Sequence, residues 1–482
     1  MNKDYIWITA LVIGVILGTI VLSMIDPYMI AIFPAATFIG VIYLHQKELT
    51  IATSIIVLPL LTSTIFSMEI LPVPGGKLNN ILMMLLLIGF LLNNKLKFSD
   101  IKLGTFFYFI SIILITSAVI RTNHVAPYSV EFWKEGYNPV KFFLSHGLIP
   151  ILTTLPYLII IGTVRTKKDI EKIVYYLAMS MGIFAIVILL VFVFRVPFGS
   201  DFSTVREIIG IDHLGMHGNN IADFFIVGFP LLLSMALAGD NPKRKWFLMG
   251  TAFSLMAVLI IYSRTAYAMI GFSVVAIAFL TKKYKILLPA VASVLIIVML
   301  MPSVVNRALS DLDTGEANAI TAGRTELIWG EILSELYAKK SYDPWRIAVG
   351  HGRYGVLSLA TFRNQKMLRV THAHNMYIDT LVDTGVLGLG FYILIYLYLL
   401  SGLIRKFIKF KKANDVWGSH LIVGLFVGIL SFLFRGLTDS FLLPQLTNSY
   451  AYIFVAISFV VLRKDYTHER SIERLEETYY NN

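Results

Sequence analysis

Residues 246–281 read WFLMGTAFSLMAVLIIYSRTAYAMIGFSVVAIAFLT. Two apolar runs, 246–262 and 265–281, are separated by a turn with Arg264 at its centre. A helix rises about 1.5 Å per residue, so about twenty apolar residues cross the hydrocarbon of a bilayer. A turn this short can only reverse the chain. The stretch therefore predicts two antiparallel membrane-spanning helices joined by a single arginine.

The rest of the chain repeats the pattern. Of its 482 residues, 57% are hydrophobic and 15% charged, and the mean hydropathy is +0.73. On the same ruler the sequence divides into about fourteen spans: 5–25, 28–44, 49–67, 79–94, 104–120, 141–164, 173–194, 220–238, 246–262, 265–281, 286–302, 385–404, 417–434 and 449–462. The expected fold class is all-α, a polytopic helical membrane protein with one large extracytoplasmic loop, 303–373. The expected organisation is N-terminal spans over 1–172, central spans over 173–302, the loop, C-terminal spans over 374–463 and a charged tail over 464–482. The run Tyr5–Ile25 lacks a small-residue cleavage site after it, so it is expected to be a retained span.

Charge placement supplies the orientation. Lys95/Lys97/Lys102, Arg165/Lys167/Lys168/Lys172, Lys243/Arg244/Lys245, Lys282/Lys283/Lys285, Arg405/Lys406/Lys409/Lys411/Lys412 and Arg463/Lys464 all fall on one side of such a fold. Basic loops stay in the cytoplasm, so both termini are expected there, with the protein in the cell membrane. The net charge of +11 then follows from topology. No basic run interleaves with exposed aromatics, which argues against nucleic-acid binding. There are no cysteines, which excludes disulfides, thiolate metal sites and cysteine nucleophiles.

Polar residues at membrane depth point to working sites. The segment THAHNMYIDTLVDTGVLGLGFY, 371–392, sets two histidines, an asparagine and two aspartates against an apolar run. Asn375, Asp379 and Asp383 are spaced by four and share a helix face. They either face a substrate or glue neighbouring helices. His374 stands at the start of that helix and can take a proton near neutral pH. His372 and Asn375 flank it. Two histidines two residues apart on a loop make poor metal spacing, so no metal or cofactor is expected. Arg264, Arg324 and Arg206 fall on the same side as His374, and a guanidinium binds phosphate oxygens through its planar fork. Arg264 could instead reach the headgroups, and Arg324 and Arg206 could be loop charges. Arg435 and Asp439, in FRGLTDS, could simply pair with each other. The stretch WGEILSELYAKK, 329–340, reads as an amphipathic helix near the membrane surface.

These residues resemble the O-antigen ligase and polysaccharide polymerase superfamily of bacterial membrane proteins. SRTAYAMIGF is similar to the family's serine–arginine turn. AGRTELIWGEIL leading to VGHGRYG is similar to its glycine–arginine element, and HNMYIDTLVDTGVLG to its histidine–asparagine element. REIIG…GNNIA is similar to a further element, with Gly218 where the family usually has proline. The resemblance covers roughly 206–391. It implies a GT-C-like, metal-independent glycosyltransferase that uses an undecaprenyl diphosphate-linked glycan outside the cytoplasmic membrane. Arg264 and Arg324 would bind the diphosphate and His374 would orient or deprotonate the acceptor hydroxyl. Arg206, His372 and Asn375 would assist. The implied partners are the lipid-linked glycan, a glycan, lipid or wall acceptor, membrane lipids, and pathway neighbours such as a flippase or chain-length protein. Polymerisation is favoured over ligation because the span count exceeds the twelve or so usual in the ligases. A transporter or flippase of the same lipid is the rival reading. It would need internal pseudo-symmetry, and the sequence carries no repeat.

Overall fold

In the computed structural model the described residues are 153–292, 324–359 and 372–463, with short gaps, and a few isolated positions between 55 and 150. Every regular element among them is helical. The expected spans up to 104–120, most of 286–302 and the tail 464–482 lie outside the described residues. So does much of the loop 303–373.

The chain forms α1 (Leu155–Thr163), α2 (Lys167–Arg195), α3 (Phe202–Arg206), α4 (Gly218–Leu237), α5 (Arg244–Ile261), α6 (Arg264–Thr281), α7 (Glu331–Lys339), α8 (Pro344–Val349), α9 (Met376–Lys412), α10 (Val416–Arg435) and α11 (Ser449–Arg463). Six of them, α2, α4, α5, α6, α9 and α10, are long and apolar enough to cross a membrane. The protein is thus an all-helical, multi-pass membrane protein. α4 is the most buried of the six and packs against α5, α6 and α10. Lipid gives helices little hydrophobic drive to associate, so close packing must hold them. Gly424 and Gly428 provide it: a Cβ at either would sit 2.8 Å from Leu231 Cα or 2.7 Å from the Val227 carbonyl.

Local sequence sets the helix ends. Thr166 and Asp169 cap α2 reciprocally, with bonds of 3.2 and 2.8 Å. Asp415 caps α10 through the Gly418 N–H. Tyr262 takes a left-handed conformation, φ 54°, and ends α5 two residues before Arg264 opens α6. The bundle's two ends differ. At one, Lys167 pairs with Asp415 at 3.5 Å and lies over the Trp417 ring, while Lys243 lies over Tyr175. At the other lie the junctions α3–α4, α5–α6, the start of α9 and the end of α10.

α9 is interrupted at Gly385, where φ is 69° and ψ −174°. The expected span 385–404 begins at that break, and the helix runs on to Lys412. The polar turns before it form a separate piece. α8 and the loop after it dock there: His351 N–H donates to the Val382 carbonyl and Gly352 N–H to the Asp383 carbonyl. A Cβ on Gly385 would sit 2.2 Å from the Ala348 carbonyl oxygen. Gly385→Ala is therefore expected to cost roughly 2–5 kcal/mol, from the left-handed φ and the clash together. Thermal melting in detergent, with wild type alongside, checks this.

The stretch expected to lie on the membrane surface is helical, a π-turn over Thr325–Gly330 followed by α7. Its stripe Ile328, Ile332 and Leu336 is buried against Val356, Leu359, Ala373 and Val382. That apolar face contributes to a small core of its own. Tyr337 and Leu333 are exposed on it.

Candidate functional site

The HAHN turn before α9 is fixed from several sides. Trp329 Nε1–H donates to the Ala373 carbonyl at 2.8 Å, and the Ala373 N–H donates to Asp379 Oδ1 at 2.7 Å. The Met376 N–H donates to the Gly436 carbonyl at 2.7 Å, tying the start of α9 to the end of α10. His374 itself is left-handed, φ 51°, a conformation that histidine tolerates better than most residues. The His374 N–H donates to His372 Nδ1 at 3.2 Å, and the two rings lie edge to face with centroids 4.0 Å apart.

Asn375 is buried. Its Oδ1 accepts from the N–H groups of Tyr377 and Ile378, and its Nδ2 donates to the Leu437 carbonyl. These bonds fix Asn375 at the cap of α9 and at the α10 junction, next to His374. Asp379 and Asp383 are likewise buried. Asp383 takes Arg353 Nη1 at 3.2 Å and the Gly355 N–H at 2.8 Å. Of the two readings of the stripe, the bonds favour bracing: Asp383 holds the loop that docks at the α9 break and Asp379 holds the turn before α9.

His374 Nδ1 lies 3.7 Å from Asp439 Oδ1. Asp439 Oδ2 accepts from Arg435 Nη2 at 2.6 Å, and Arg435 Nε donates to Asp223 Oδ1 at 2.7 Å. Arg435 Nη1 donates to Thr438 Oγ1, and Arg324 Nη1 donates to the Thr438 carbonyl at 2.7 Å. A connected line runs from Asp223, inside α4, through Arg435 and Asp439 to the His374 ring. Burial alone would raise the Asp439 carboxyl, but the neighbouring His374 and the Arg435 charge outweigh it and hold it well below the usual carboxylate range. Asp439 is thus a fixed negative charge beside His374 Nδ1.

Arg206 and Arg324 each immediately precede a π-helical stretch, Glu207–Leu214 and Thr325–Gly330. Such turns recur at functional sites. Arg206 Nη2 donates to Asn219 Oδ1 at 3.0 Å, and Ser263 Oγ donates to the same oxygen at 3.3 Å. This brings Arg206 to the turn that carries Arg264. A Cβ at 218 would come 2.9 Å from Arg206 Nε, so glycine at the position where proline is usual lets Arg206 lie across the start of α4. The Arg324 guanidinium is eased below the ordinary arginine value, first by burial and then by the charges of Arg435 and Arg264, against Asp439. It stays charged, and Arg264 is close enough to act on it.

All six sequence-predicted residues therefore meet at one end of the bundle. The sequence reading took Arg435 and Asp439 only as a pair and passed over Asp223, Thr438 and His217. Asp223 carried a usable signal, a carboxylate inside the apolar span 220–238.

His372, His374 and Asp439 could together offer a metal ligand set, their ligand atoms lying within 4.8 Å of one another. The surroundings suit an anion better. Arg435 already binds the carboxylate, His372 Nδ1 already accepts the His374 N–H, and Arg324 stands beside them. A cation there would sit close to the Arg435 and Arg324 charges.

The His372 ring is pushed down to about 4, by burial first and then by His374, against Asp439. It is neutral at pH 7. Because its folded-state value is depressed, its contribution to stability is present above about 6.5 and lost as pH falls toward about 4. Between pH 7 and 5 wild type is expected to lose more thermal stability than His372→Gln, as measured by melting in detergent.

The multi-pass helical bundle thus sets arginines beside a carboxylate-backed histidine at one of its ends. Residues 249–393 match the family model described as Wzy_C, O-antigen ligase, so this part of the chain is similar to the O-antigen ligase and polysaccharide polymerase superfamily. The match supports a membrane glycan ligase or polymerase. It spans Arg264, Arg324, His372 and His374, while Arg206, His217, Asp223, Arg435 and Asp439 lie beyond it. No curated protein matches the chain.

Proposed function

We propose that the chain is a metal-independent glycosyltransferase, GT-C-like in fold, acting on the outer face of the cytoplasmic membrane. It takes glycan from an undecaprenyl diphosphate carrier and joins it to a growing surface polysaccharide. The observation that carries this reading is the convergence of Arg206, Arg264 and Arg324 on a histidine backed by Asp439. The acceptor hydroxyl gives its proton to His374 Nε2 as its oxygen attacks the anomeric carbon. The bond from that carbon to the diphosphate oxygen breaks, and the electron pair leaves on the phosphate. The arginines stabilise the departing charge, and Asp439 stabilises the imidazolium.

Polymerisation of repeat units is the favoured form. Ligation of a finished chain to a lipid or wall acceptor is the second reading, supported by the ligase description of the matching family. The two differ in the acceptor and share the donor chemistry.

The test uses purified protein in nanodiscs with a lipid diphosphate-linked glycan. Arg264→Gln and Arg324→Gln are each expected to lower kcat/KM by roughly 100- to 1,000-fold, the usual effect of removing a charge-stabilising donor. If both variants transfer glycan at the wild-type rate, the arginines do not hold the donor; if wild type itself transfers none, the glycosyltransferase reading fails.

A further inference from the structure

His217 caps α4: its Nδ1 accepts the Asn219 N–H at 3.3 Å. That bond occupies the Nδ1 lone pair, so the proton of the neutral ring resides on Nε2. Protonation would turn Nδ1 toward another N–H. The ring accordingly titrates below the ordinary histidine value, through burial first and then the Arg206 charge. With Nδ1 accepting, the neutral ring presents Nε2–H as a donor.

Its surroundings place it at the proposed donor site. The charged and titratable groups acting on it are Arg206 before the π-turn, Asp439 and Arg435 from the α10 end, and His374 before α9. Arg206 crosses the next residue, Gly218. His217 is nevertheless solvent-accessible, as a group meeting a ligand must be. His372 uses the same device, its Nδ1 taken by the His374 N–H. Of the three histidines here, His374 has Nδ1 facing a carboxylate instead of a backbone N–H. One histidine is therefore built to take a proton and two to donate fixed hydrogen bonds.

We propose that His217 is a further binding residue, donating Nε2–H to a phosphate oxygen of the diphosphate held by Arg206. The inference rests on the proposed glycosyl transfer and names one more contact with its leaving group. A neutral donor strengthens the hold on the departing phosphate without adding a charge that would retain the product.

Two variants separate this role from capping. H217N keeps an acceptor at the cap and lacks a group reaching to the Nε2 position. H217Q carries an amide N–H near that position and gives up the cap. Transfer from an undecaprenyl diphosphate-linked glycan is measured for both, with melting temperatures. H217N is expected to lose roughly 10- to 100-fold in kcat/KM, the effect of one hydrogen bond to a charged group, at unchanged melting temperature. H217Q is expected to recover most of that loss. Wild-type kcat/KM in H217N overturns the proposal, as does an H217Q loss equal to that of H217N. If His374→Ala abolishes transfer while H217N is unaffected, only the His217 assignment falls. If His374→Ala transfers as wild type does, the His374 assignment falls, and if wild type transfers no glycan, the glycosyl-transfer reading falls and the His217 proposal with it.

Discussion

His374→Ala is expected to lower kcat for glycan transfer by about 100- to 10,000-fold, the range that a positioned general base supplies, with donor binding close to wild type. The side chain is held at a left-handed backbone position and aimed by Asp439 at 3.7 Å. Its removal deletes the group proposed to take the acceptor proton. The arginines proposed to hold the diphosphate are untouched. Alanine is less at ease than histidine at φ 51°, so some loss could be structural. His374→Asn controls for this, because asparagine tolerates that conformation. Both variants should lose kcat alike while binding the lipid-linked donor. Single-turnover transfer with saturating donor makes the measurement.

Arg435→Met is expected to destabilise the protein by about 3–5 kcal/mol, the usual cost of removing one partner from a buried ion pair. Arg435 is 2% exposed and bonds Asp223, Asp439 and Thr438. Methionine fills similar space but leaves two carboxylates facing an apolar side chain. The effect also reaches the chemistry, because Asp439 loses the bond that holds it beside His374. Adding Asp223→Asn removes one stranded charge. The double variant should regain part of the stability and little of the activity. Denaturation in detergent, paired with transfer rates, distinguishes the two effects.

Much of the fold was legible because apolar length speaks directly. The runs 173–194, 220–238, 246–262, 265–281 and 417–434 fall on α2, α4, α5, α6 and α10 to within a few residues. Arg264 was legible too, as the one charged residue in its turn. The polar stripe Asn375, Asp379 and Asp383 was legible as one helical face, while its use stayed open between substrate and bracing. Periodicity shows which side chains share a face, while the backbone amides they serve come from Ala373 and Gly355, in loops with no period. The Asp223–Arg435 pair joins residues on two separate helices, a partnership created by the α4–α10 packing. His217 was hidden for another reason. Its role depends on which ring nitrogen the backbone occupies, and residue identity alone does not reveal that.

The central claim is that this site moves glycan from a lipid diphosphate to an acceptor hydroxyl. The most direct measurement supplies purified protein in nanodiscs with undecaprenyl diphosphate-linked repeat units and a candidate acceptor, and resolves products by gel. The account predicts a lengthened or transferred glycan with release of undecaprenyl diphosphate, absent with His374→Ala. Intact lipid-linked donor, moved across vesicles in a parallel reconstitution without glycan transfer, would contradict it.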